Sequence, residues 1–321
     1  MVILLAFSMY FTAKIRLFRP SVIKSVFRDT LFSIKRESKD GISPLSAAAT
    51  AIGGTVGIGS IVGVGYGIAV GGAGSVFWMW VCAVFGMGIK YAETDIALKN
   101  RDSINGFMVG GAFLRLKQLG YKRLSVLFCV FCILASFGTG NLTQIGAMTD
   151  CLSIFIKNGK AVSYICVLLL AFSVFGGRKF IARLNSFAVP TASFLYILSA
   201  VFILIVNYKS ILPSFFLILR SAFGFNAVSG GVSAAVIAIA VREGFARSMF
   251  SNEAGMGSSP IAHATVSLSD GKTQAKWGIF EVFSTPLLCR RSPLSVCWRV
   301  GAIRRRRCSR CRSGVAFARC F

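Results

Sequence analysis

The chain has 321 residues, of which 55% are hydrophobic and only 15% are charged, and its mean hydropathy is +0.70. This balance excludes an ordinary water-soluble domain and indicates a protein that crosses a membrane several times. The formal net charge of +25 would suggest a nucleic-acid partner in a soluble protein. Because most of the lysines and arginines lie in short loops between apolar runs, they instead set the topology, and we expect no nucleic-acid partner.

Apolar runs that are long enough, or nearly long enough, to cross a bilayer recur along the chain. A spanning helix needs about 20 apolar residues, so there is room for about seven spans and their loops. The runs cover residues 2–17, 46–70, 75–98, 124–140 with an extension to 156, 161–175, 187–206 and 227–250. Basic loops follow the first, third and fifth runs and alternate with poorly charged loops, which predicts a single orientation with the N-terminus outside.

The composition changes near residue 284, where we expect an incomplete membrane domain, residues 1–284, to end. The next apolar run stops at Arg290 after 13 residues, too short to cross. Counting Arg290, ten arginines lie beyond this run, with no lysine after Lys276 and no acidic residue after Glu281. This pattern indicates that residues 285–321 are an aberrant Arg/Cys-rich tail, produced by a change of reading frame or by a foreign end. The alternative is a genuine basic tail that binds lipid headgroups or RNA.

The first motif lies inside the second apolar run, where glycines recur from Gly53 to Gly63. Glycine lets backbone amides and carbonyls approach a ligand, and the end of a half-helix offers oriented dipoles to a carboxylate or a cation. Lipid tolerates interrupted helices only where protein or a cavity satisfies the freed backbone groups, so the motif indicates a transporter's binding site. Close helix packing through Gly59 and Gly63, which have GxxxG spacing, is the alternative.

The second motif, residues 251–260, interrupts the longer apolar stretch 229–264 with a carboxylate, an amide, two glycines and a proline. An ionisable residue such as Glu253 at membrane depth is a functional hypothesis by default. The alternative is that Glu253 is solvated, or paired with Arg242 or Arg247, at the cytoplasmic mouth. His263 is the only histidine, and we expect it to serve packing or a local hydrogen bond.

The third motif contains Asn141 and Gln144, which are three residues apart and so share a helix face. Buried amides can bind the carboxylate or ammonium group of an amino acid. The alternative is that they join two helices by hydrogen bonds. Lys90 and Glu93 have the same spacing, and we expect them to pair with each other in a structural role.

At these residues the chain resembles the alanine or glycine:cation symporter family, the sodium:alanine symporters. The stretches that carry the resemblance are 54–63 continuing into 71–101, 138–144, 176–207, and 244–264 with its SNEAGMGSSPIAHA core. The resemblance implies an eleven-span LeuT-type architecture with an inverted repeat, and import of small neutral amino acids with sodium.

By that resemblance, the site residues form three sets. The first interrupted helix is lined by Thr55, Gly57, Gly59 and Ser60, with the backbone of Gly57 and Gly59 facing sodium; the substrate is held by Asn141 and Gln144; and the second interruption contains Ser251, Asn252, Glu253 and Gly255. The family usually has asparagine where Ser60 stands. Its later spans are not matched here, so we expect an incomplete sodium site and no other metal.

We therefore expect an all-α polytopic membrane protein, a partial LeuT-type inverted-repeat transporter with broken helices. Its function would be sodium-coupled import of alanine- or glycine-type amino acids by alternating access, in the bacterial inner membrane. The partners are a small neutral amino acid, a sodium ion and the lipid bilayer, with no cofactor. No pairing of nucleophile and base indicates an enzyme. The alternatives are an inactive remnant of such a symporter, a channel whose filter uses glycine carbonyls, and a membrane-tethered nucleic-acid binder.

Overall fold

The computed structural model describes residues 2–33, 43–55, 58–104, 107–152, 159–223, 230–266 and 271–283. These residues are predominantly helical, as the composition predicts. The helices are α1 Val2–Ile15, α2 Pro20–Ser33, α3 Pro44–Thr55, α4 Ile58–Gly71, α5 Gly74–Lys99, α6 Ala112–Gln118, α7 Lys122–Ala135, a π-helix Ser136–Leu142, α8 Thr143–Leu152, α9 Gly159–Phe175, α10 Gly177–Val206, α11 Tyr208–Ala222, α12 Gly230–Asn252, α13 Ser258–Ala264 and α14 over 271–283.

Two helices in the described part of the chain are long and apolar enough to cross a membrane, Gly74–Lys99 and the segment Phe180–Val206 of α10. At 1.5 Å per residue, the 26 residues of α5 extend about 39 Å, more than the hydrocarbon thickness of about 30 Å. Shorter apolar helices cover Ile3–Ile15 and Ala161–Ser173. Of the seven predicted spans, two therefore reach full length as single described helices.

Two other predicted spans are not covered by one described helix. In the run at residues 46–70, α3 ends at Thr55 and α4 begins at Ile58. Residues 56 and 57, between these helices, lie outside the described residues. The run at 124–156 forms α7, the π-helix and α8. A helical π-turn lengthens the hydrogen-bonded loop by one residue and is found most often at functional sites. Here it falls on the third motif.

The basic loop after α5 contains a short hairpin. Strand β1, Asp102–Ile104, pairs with β2, Phe107–Val109, in antiparallel fashion, and Asp102 faces Val109. Backbone hydrogen bonds therefore shape this part of the loop, and the described residues form no strand other than these two.

Helix α5 is the centre of the packing, since α1, α4, α11, α12 and α13 all contact it. Small residues let these helices approach closely, as is usual where lipid provides no hydrophobic drive for association. A Cβ atom on Gly244 of α12 would lie 2.6 Å from the carbonyl oxygen of Ser75, and one on Gly74 would lie 2.6 Å from the backbone of Ser221. A side chain at either glycine would push α12 or α11 away from α5.

The amphipathic helix α2 docks on α14. The Lys276 ammonium donates to Asp29 Oδ2 at 2.5 Å, and the Phe27 ring meets the edges of Phe280 and Phe283 with centroids 6.3 and 5.4 Å apart. The hydrogen bond from Lys276 is the main cause that lowers the pKa of Asp29 below its ordinary value. This contact fixes α2, which belongs to the first basic loop, against the C-terminal end of the described chain.

Candidate functional site

The second motif forms a turn between α12 and α13. Helix α12 ends at Asn252, and α13 begins at Ser258. Three residues of the turn have left-handed backbone angles: Glu253 has φ of 49°, Gly255 of 87° and Gly257 of 74°. Glycine adopts this conformation without steric cost, whereas a glutamate does so at a cost of about 1 to 2 kcal/mol. The turn at residues 253–257 is thus a tightly bent connection that the surrounding packing must hold in place.

The end of α12 is tied to α5 along its length. The hydroxyl of Ser248 donates to the Met79 carbonyl at 3.0 Å, and the Asn252 amide donates to Ser248 Oγ at 3.3 Å. Further along, Lys90 Nζ donates to the Asn252 carbonyl oxygen at 3.0 Å. Because the contacts advance in the same direction on both helices, α5 and α12 run parallel here. Lys90 satisfies a carbonyl that the end of α12 leaves without an intrahelical donor.

Lys90 also belongs to a buried group of polar side chains, which we call the Lys90 network. Its members are Lys90 of α5, Asn252 of α12, Ser259 and His263 of α13, and Gln274 and Glu281 of α14. Lys90 Nζ lies 3.5 Å from Glu281 Oε1, and the pair is essentially inaccessible to solvent, with side-chain exposures of 0% and 1%. The network therefore joins four helices through one buried ion pair.

Glu281 is the acceptor at the centre of the network. Its Oε2 atom accepts a hydrogen bond from Ser259 Oγ at 2.9 Å and lies 3.2 Å from His263 Nε2. The other ring nitrogen of His263, Nδ1, lies 2.8 Å from Gln274 Nε2, which also donates to the Pro44 carbonyl at 3.4 Å. A buried charge is tolerated only when it is paired and hydrogen-bonded, and Glu281 meets both conditions.

The close contact of α14 with α5 depends on Gly278. A Cβ atom at this position would lie 3.0 Å from Thr94 Oγ1 and 3.2 Å from the Lys90 carbonyl oxygen. Any larger residue would therefore separate the helix that carries Glu281 from the helix that carries Lys90.

The first predicted set of residues lies at the ends of α3 and α4. Thr55 is buried at the last position of α3, where its hydroxyl donates to the carbonyls of Ala51 and Ile52 at 3.3 and 3.1 Å. Gly59 and Ser60 fall in the first turn of α4. Gly57 lies outside the described residues, as does the side chain of Ser60. The roles assigned to this set stay predictions.

The substrate-binding pair of the third motif lies on two elements. Asn141 is in the last turn of the π-helix, and its side chain is outside the described part. Gln144 is partly buried on α8, a helix that packs against α4. Gln144 therefore lies on α8, which contacts α4, the helix that contains Gly59 and Ser60.

The third predicted set occupies the end of α12 and the turn that follows. Ser251 and Asn252 are buried, Glu253 is partly buried and Gly255 is exposed. Glu253 accepts a hydrogen bond from Ser258 Oγ at 2.5 Å. Arg247, considered above as a partner of Glu253, instead pairs with Glu243 at 3.4 Å and lies over the Tyr66 ring, 4.5 Å from its centroid.

Lys90 acts electrostatically on Glu93, as the spacing allows, but its direct ion pair is with another carboxylate. Lys90 binds Glu281 and the Asn252 carbonyl, because α14 brings a carboxylate to the buried side of α5. His263 makes the local hydrogen bonds that were predicted for it. Within the described ranges, no group of three His, Cys, Asp or Glu residues could hold a metal ion.

Sequence reasoning missed the residues that α14 contributes. Glu281 and Gln274 are both fully buried. The length of the run that contains Glu281 indicates only that it is too short to cross a membrane. The signal was present, because an ionisable residue in an apolar run marks a functional hypothesis by default. Asn185 of α10 was also missed: its side chain lies 3.8 Å from the Cβ position of Gly53, beside the first motif.

Comparison with known proteins adds an independent observation. A model of the sodium:alanine symporter family matches residues 1–313. An uncharacterized transporter of Haemophilus influenzae is 37% identical over 238 residues, which cover 73% of this chain and 52% of that protein.

Two named relatives are similar over more of the chain. The sodium/alanine symporter AgcS of Methanococcus maripaludis is 35% identical over 284 residues, 86% of this chain and 62% of that protein. The probable sodium/glutamine symporter GlnT of Bacillus subtilis is 34% identical over 286 residues, 88% of this chain and 58% of that protein. The chain thus spans between half and two thirds of the length of these relatives.

Proposed function

This chain belongs to the sodium:alanine symporter family, and we propose that it takes part in sodium-coupled import of small neutral amino acids across a bacterial inner membrane. The resemblance carried by the four sequence stretches is confirmed by the family match. The observation that carries the proposal is this match over residues 1–313, which includes all three motifs. Two of the relatives are named for alanine and for glutamine, which supports a neutral amino acid as the substrate.

Alternating access is the mechanism that fits this class. In it, one bundle of helices moves against another around a site near the bilayer midplane, and binding of ion and substrate favours the closed state. We propose that α3 and α4 form the two halves of one discontinuous helix in a LeuT-type arrangement. Thr55 and Ser60 would then offer hydroxyls on either side of the break, and the backbone of Gly57 and Gly59 would face sodium.

Gln144 is the proposed substrate ligand with the firmest support. It lies on α8 against α4 and is partly buried, so its amide can serve as both donor and acceptor to an amino acid. Asn141, one helical turn earlier, would complete the contact from the π-helix. The turn at residues 253–257 would instead help to fix α12 and α13 against neighbouring helices, because the Cβ position of Gly255 lies 2.9 Å from Leu4 of α1 and that of Gly257 lies 3.1 Å from Phe128 of α7.

Uptake into proteoliposomes tests the proposal. We expect labelled alanine and glycine to accumulate when an inward sodium gradient is imposed, and accumulation to stop when a sodium ionophore collapses the gradient. The absence of sodium-stimulated uptake would instead favour the inactive remnant with an incomplete sodium site. Labelled glutamine measured in the same vesicles distinguishes a broader specificity. Saturable uptake that ignores the gradient, or an ohmic current without uptake, would reject symport.

Replacement of Gln144 tests the residue assignment. Gln144→Ala should raise the KM for the amino acid by about tenfold, which corresponds to about 1.4 kcal/mol, because a hydrogen bond to the substrate is lost. Gln118→Ala is the matched control, since Gln118 is an exposed amide on α6 that donates to the Asn100 carbonyl. Equal KM values in the two variants would remove Gln144 from the site.

A further inference from the structure

Glu93 of α5 is a carboxylate whose environment the transport proposal does not use. Its Oε2 atom is shielded from solvent and has no hydrogen-bond partner among the described residues. The carboxylate accepts one hydrogen bond, from the backbone amide of Gly255 in the turn between α12 and α13. Glu93 is therefore held on one side by the turn and left unsatisfied on the other.

The nearby charges do not neutralise Glu93. Within the described ranges, the charged groups that act on it are Lys90, one turn earlier on α5, and Glu281 of α14. Lys90 is already committed to Glu281 at 3.5 Å and to the Asn252 carbonyl at 3.0 Å. The positive charge of Lys90 is thus balanced by Glu281, which leaves Glu93 as an additional negative charge when it is ionised.

His263 is not among the charged groups that act on Glu93. Its two ring nitrogens instead lie 3.2 Å from Glu281 Oε2 and 2.8 Å from Gln274 Nε2. Among the charged groups of the described chain that act on Glu93, Lys90 is therefore the one cation.

We propose that Glu93 is a proton-binding site at the contact between α5 and the 253–257 turn. A shielded carboxylate oxygen without a donor is costly when charged, and such a group takes up a proton in preference to remaining ionised. The proton comes from water and forms an O–H bond on the Glu93 carboxyl, which becomes neutral.

Proton binding at Glu93 would change how the turn is held. A charged carboxylate accepts the Gly255 N–H bond about twice as strongly as a neutral group does. Protonation therefore weakens the tie between α5 and Gly255, whereas Lys90 keeps its bond to the Asn252 carbonyl. The turn carries three left-handed residues, so its position depends on such external bonds. In the proposed symporter, the proton would thus bias the contact between α5 and the α12–α13 connection.

Infrared difference spectroscopy tests the site directly, without substrate. The purified full chain in lipid is titrated from mildly alkaline to mildly acidic pH, in H₂O and in D₂O. We expect a carboxylic-acid C=O band to grow as the pH falls and to shift in D₂O, and we expect Glu93→Gln to lack it. Asp95→Asn is the matched control, because Asp95 lies two residues further on α5 and pairs with Lys99 near the surface.

The infrared outcomes test the proton site independently of transport. The role of this proton in transport rests on the proposed function. The same band in wild type and Glu93→Gln, or its loss in Asp95→Asn only, overturns the proton site. If Glu93→Gln cannot be purified, Glu93→Asp is used, and it must shift the frequency or the pH midpoint of the band; an unchanged band rejects the proposal.

Uptake supplies the second readout. Glu93→Gln should lose the pH dependence of sodium-driven alanine uptake, whereas a merely structural acceptor for Gly255 would leave that dependence unchanged, since glutamine retains an acceptor oxygen. If the wild type shows no uptake, the transport proposal fails, and the infrared result still decides the proton site.

Discussion

The interior around α5 and the outward faces of α9 and α10 have opposite chemistry. In the interior, Lys90, His263 and Glu281 are all 0% exposed. On the outer helices, Leu168 is 69% exposed, and Phe187 is 73% exposed. A water-soluble protein has the reverse distribution, with charges outside and large apolar side chains inside. The comparison indicates that the surroundings of α9 and α10 are apolar, namely lipid or further helices.

The two regions are stabilised by different interactions: contact of apolar side chains with hydrocarbon on the outer faces, and a buried ion pair in the interior. An exposed leucine or phenylalanine costs nothing against hydrocarbon, so the outer faces need no partner within the described chain. The buried ion pair, in contrast, is held only by its own geometry, because removal of either charge leaves the other without water or counterion. Substitutions in the buried region should therefore change the free energy of unfolding, whereas substitutions on the outer faces should change membrane insertion.

The largest expected effect is in the Lys90 network. Glu281→Gln should lower the free energy of unfolding by about 3 to 5 kcal/mol, because Lys90 remains charged and buried without its carboxylate. The measurement is an SDS titration of the purified protein in detergent, followed by tryptophan fluorescence. The double variant Lys90→Met with Glu281→Leu removes both charges and should recover much of the loss.

A matched control for this prediction lies on α12. Glu243→Gln breaks the pair with Arg247, whose side chains are 17% and 32% exposed. The expected cost is about 0 to 1 kcal/mol, because water competes for both charges. A similar loss in Glu281→Gln and Glu243→Gln, or no recovery in the double variant, would show that burial of Lys90 does not decide the stability of this region.

The next effect concerns the apolar outer surface. Leu195 is 58% exposed near the middle of the Phe180–Val206 segment of α10. If lipid covers it, Leu195→Asp should disfavour membrane insertion by about 2.5 to 3.5 kcal/mol. Insertion is measured by glycosylation mapping of the segment in microsomes.

Leu119→Asp is the control for the outer surface. Leu119 is 52% exposed just after α6, in the basic loop between predicted spans, so its substitution should leave insertion unchanged. Equal insertion of the wild-type and Leu195→Asp segments would contradict a lipid-facing position for Leu195.

Much of this contrast was predictable from the sequence. Hydropathy alone identifies the apolar runs, and the glycine and SNEAG motifs identify where helices end, since these residues disfavour a continuous helix in any context. The turn after Asn252 follows from such local signals, whereas the break predicted near Thr55 falls on residues 56 and 57, outside the described ranges.

The Lys90 network was not predictable in the same way. The contact between Lys90 and Glu281 joins residues far apart in the chain, and local spacing instead favoured the neighbour Glu93. Tertiary packing decided the partner, because Gly278 lets α14 approach α5 closely enough to place Glu281 beside Lys90. The π-helix at residues 136–142 was also missed, since its sequence differs little from that of an α-helix rich in glycine.

The smallest expected effect is at the contact of α2 with α14, which lies outside the predicted spans. The hydrogen bond from Lys276 lowers the pKa of Asp29. Since the folded pKa lies below the unfolded value of about 3.9, the pair contributes stability at neutral pH and loses it as the pH falls through the folded pKa. Both side chains are partly exposed, at 21% and 22%, so the contribution should be about 0.2 to 1 kcal/mol.

The Asp29–Lys276 pair is thus a partly exposed ion pair, in contrast to the buried pair of Lys90 and Glu281. Unfolding free energies of wild type and Asp29→Asn are compared at neutral pH and at a series of decreasing acid pH values. The difference should be present at neutral pH and should decrease as the pH falls through the lowered folded pKa of Asp29. A difference that stays constant with pH would mean that the Phe27 ring contacts, and not the ion pair, hold α2 on α14.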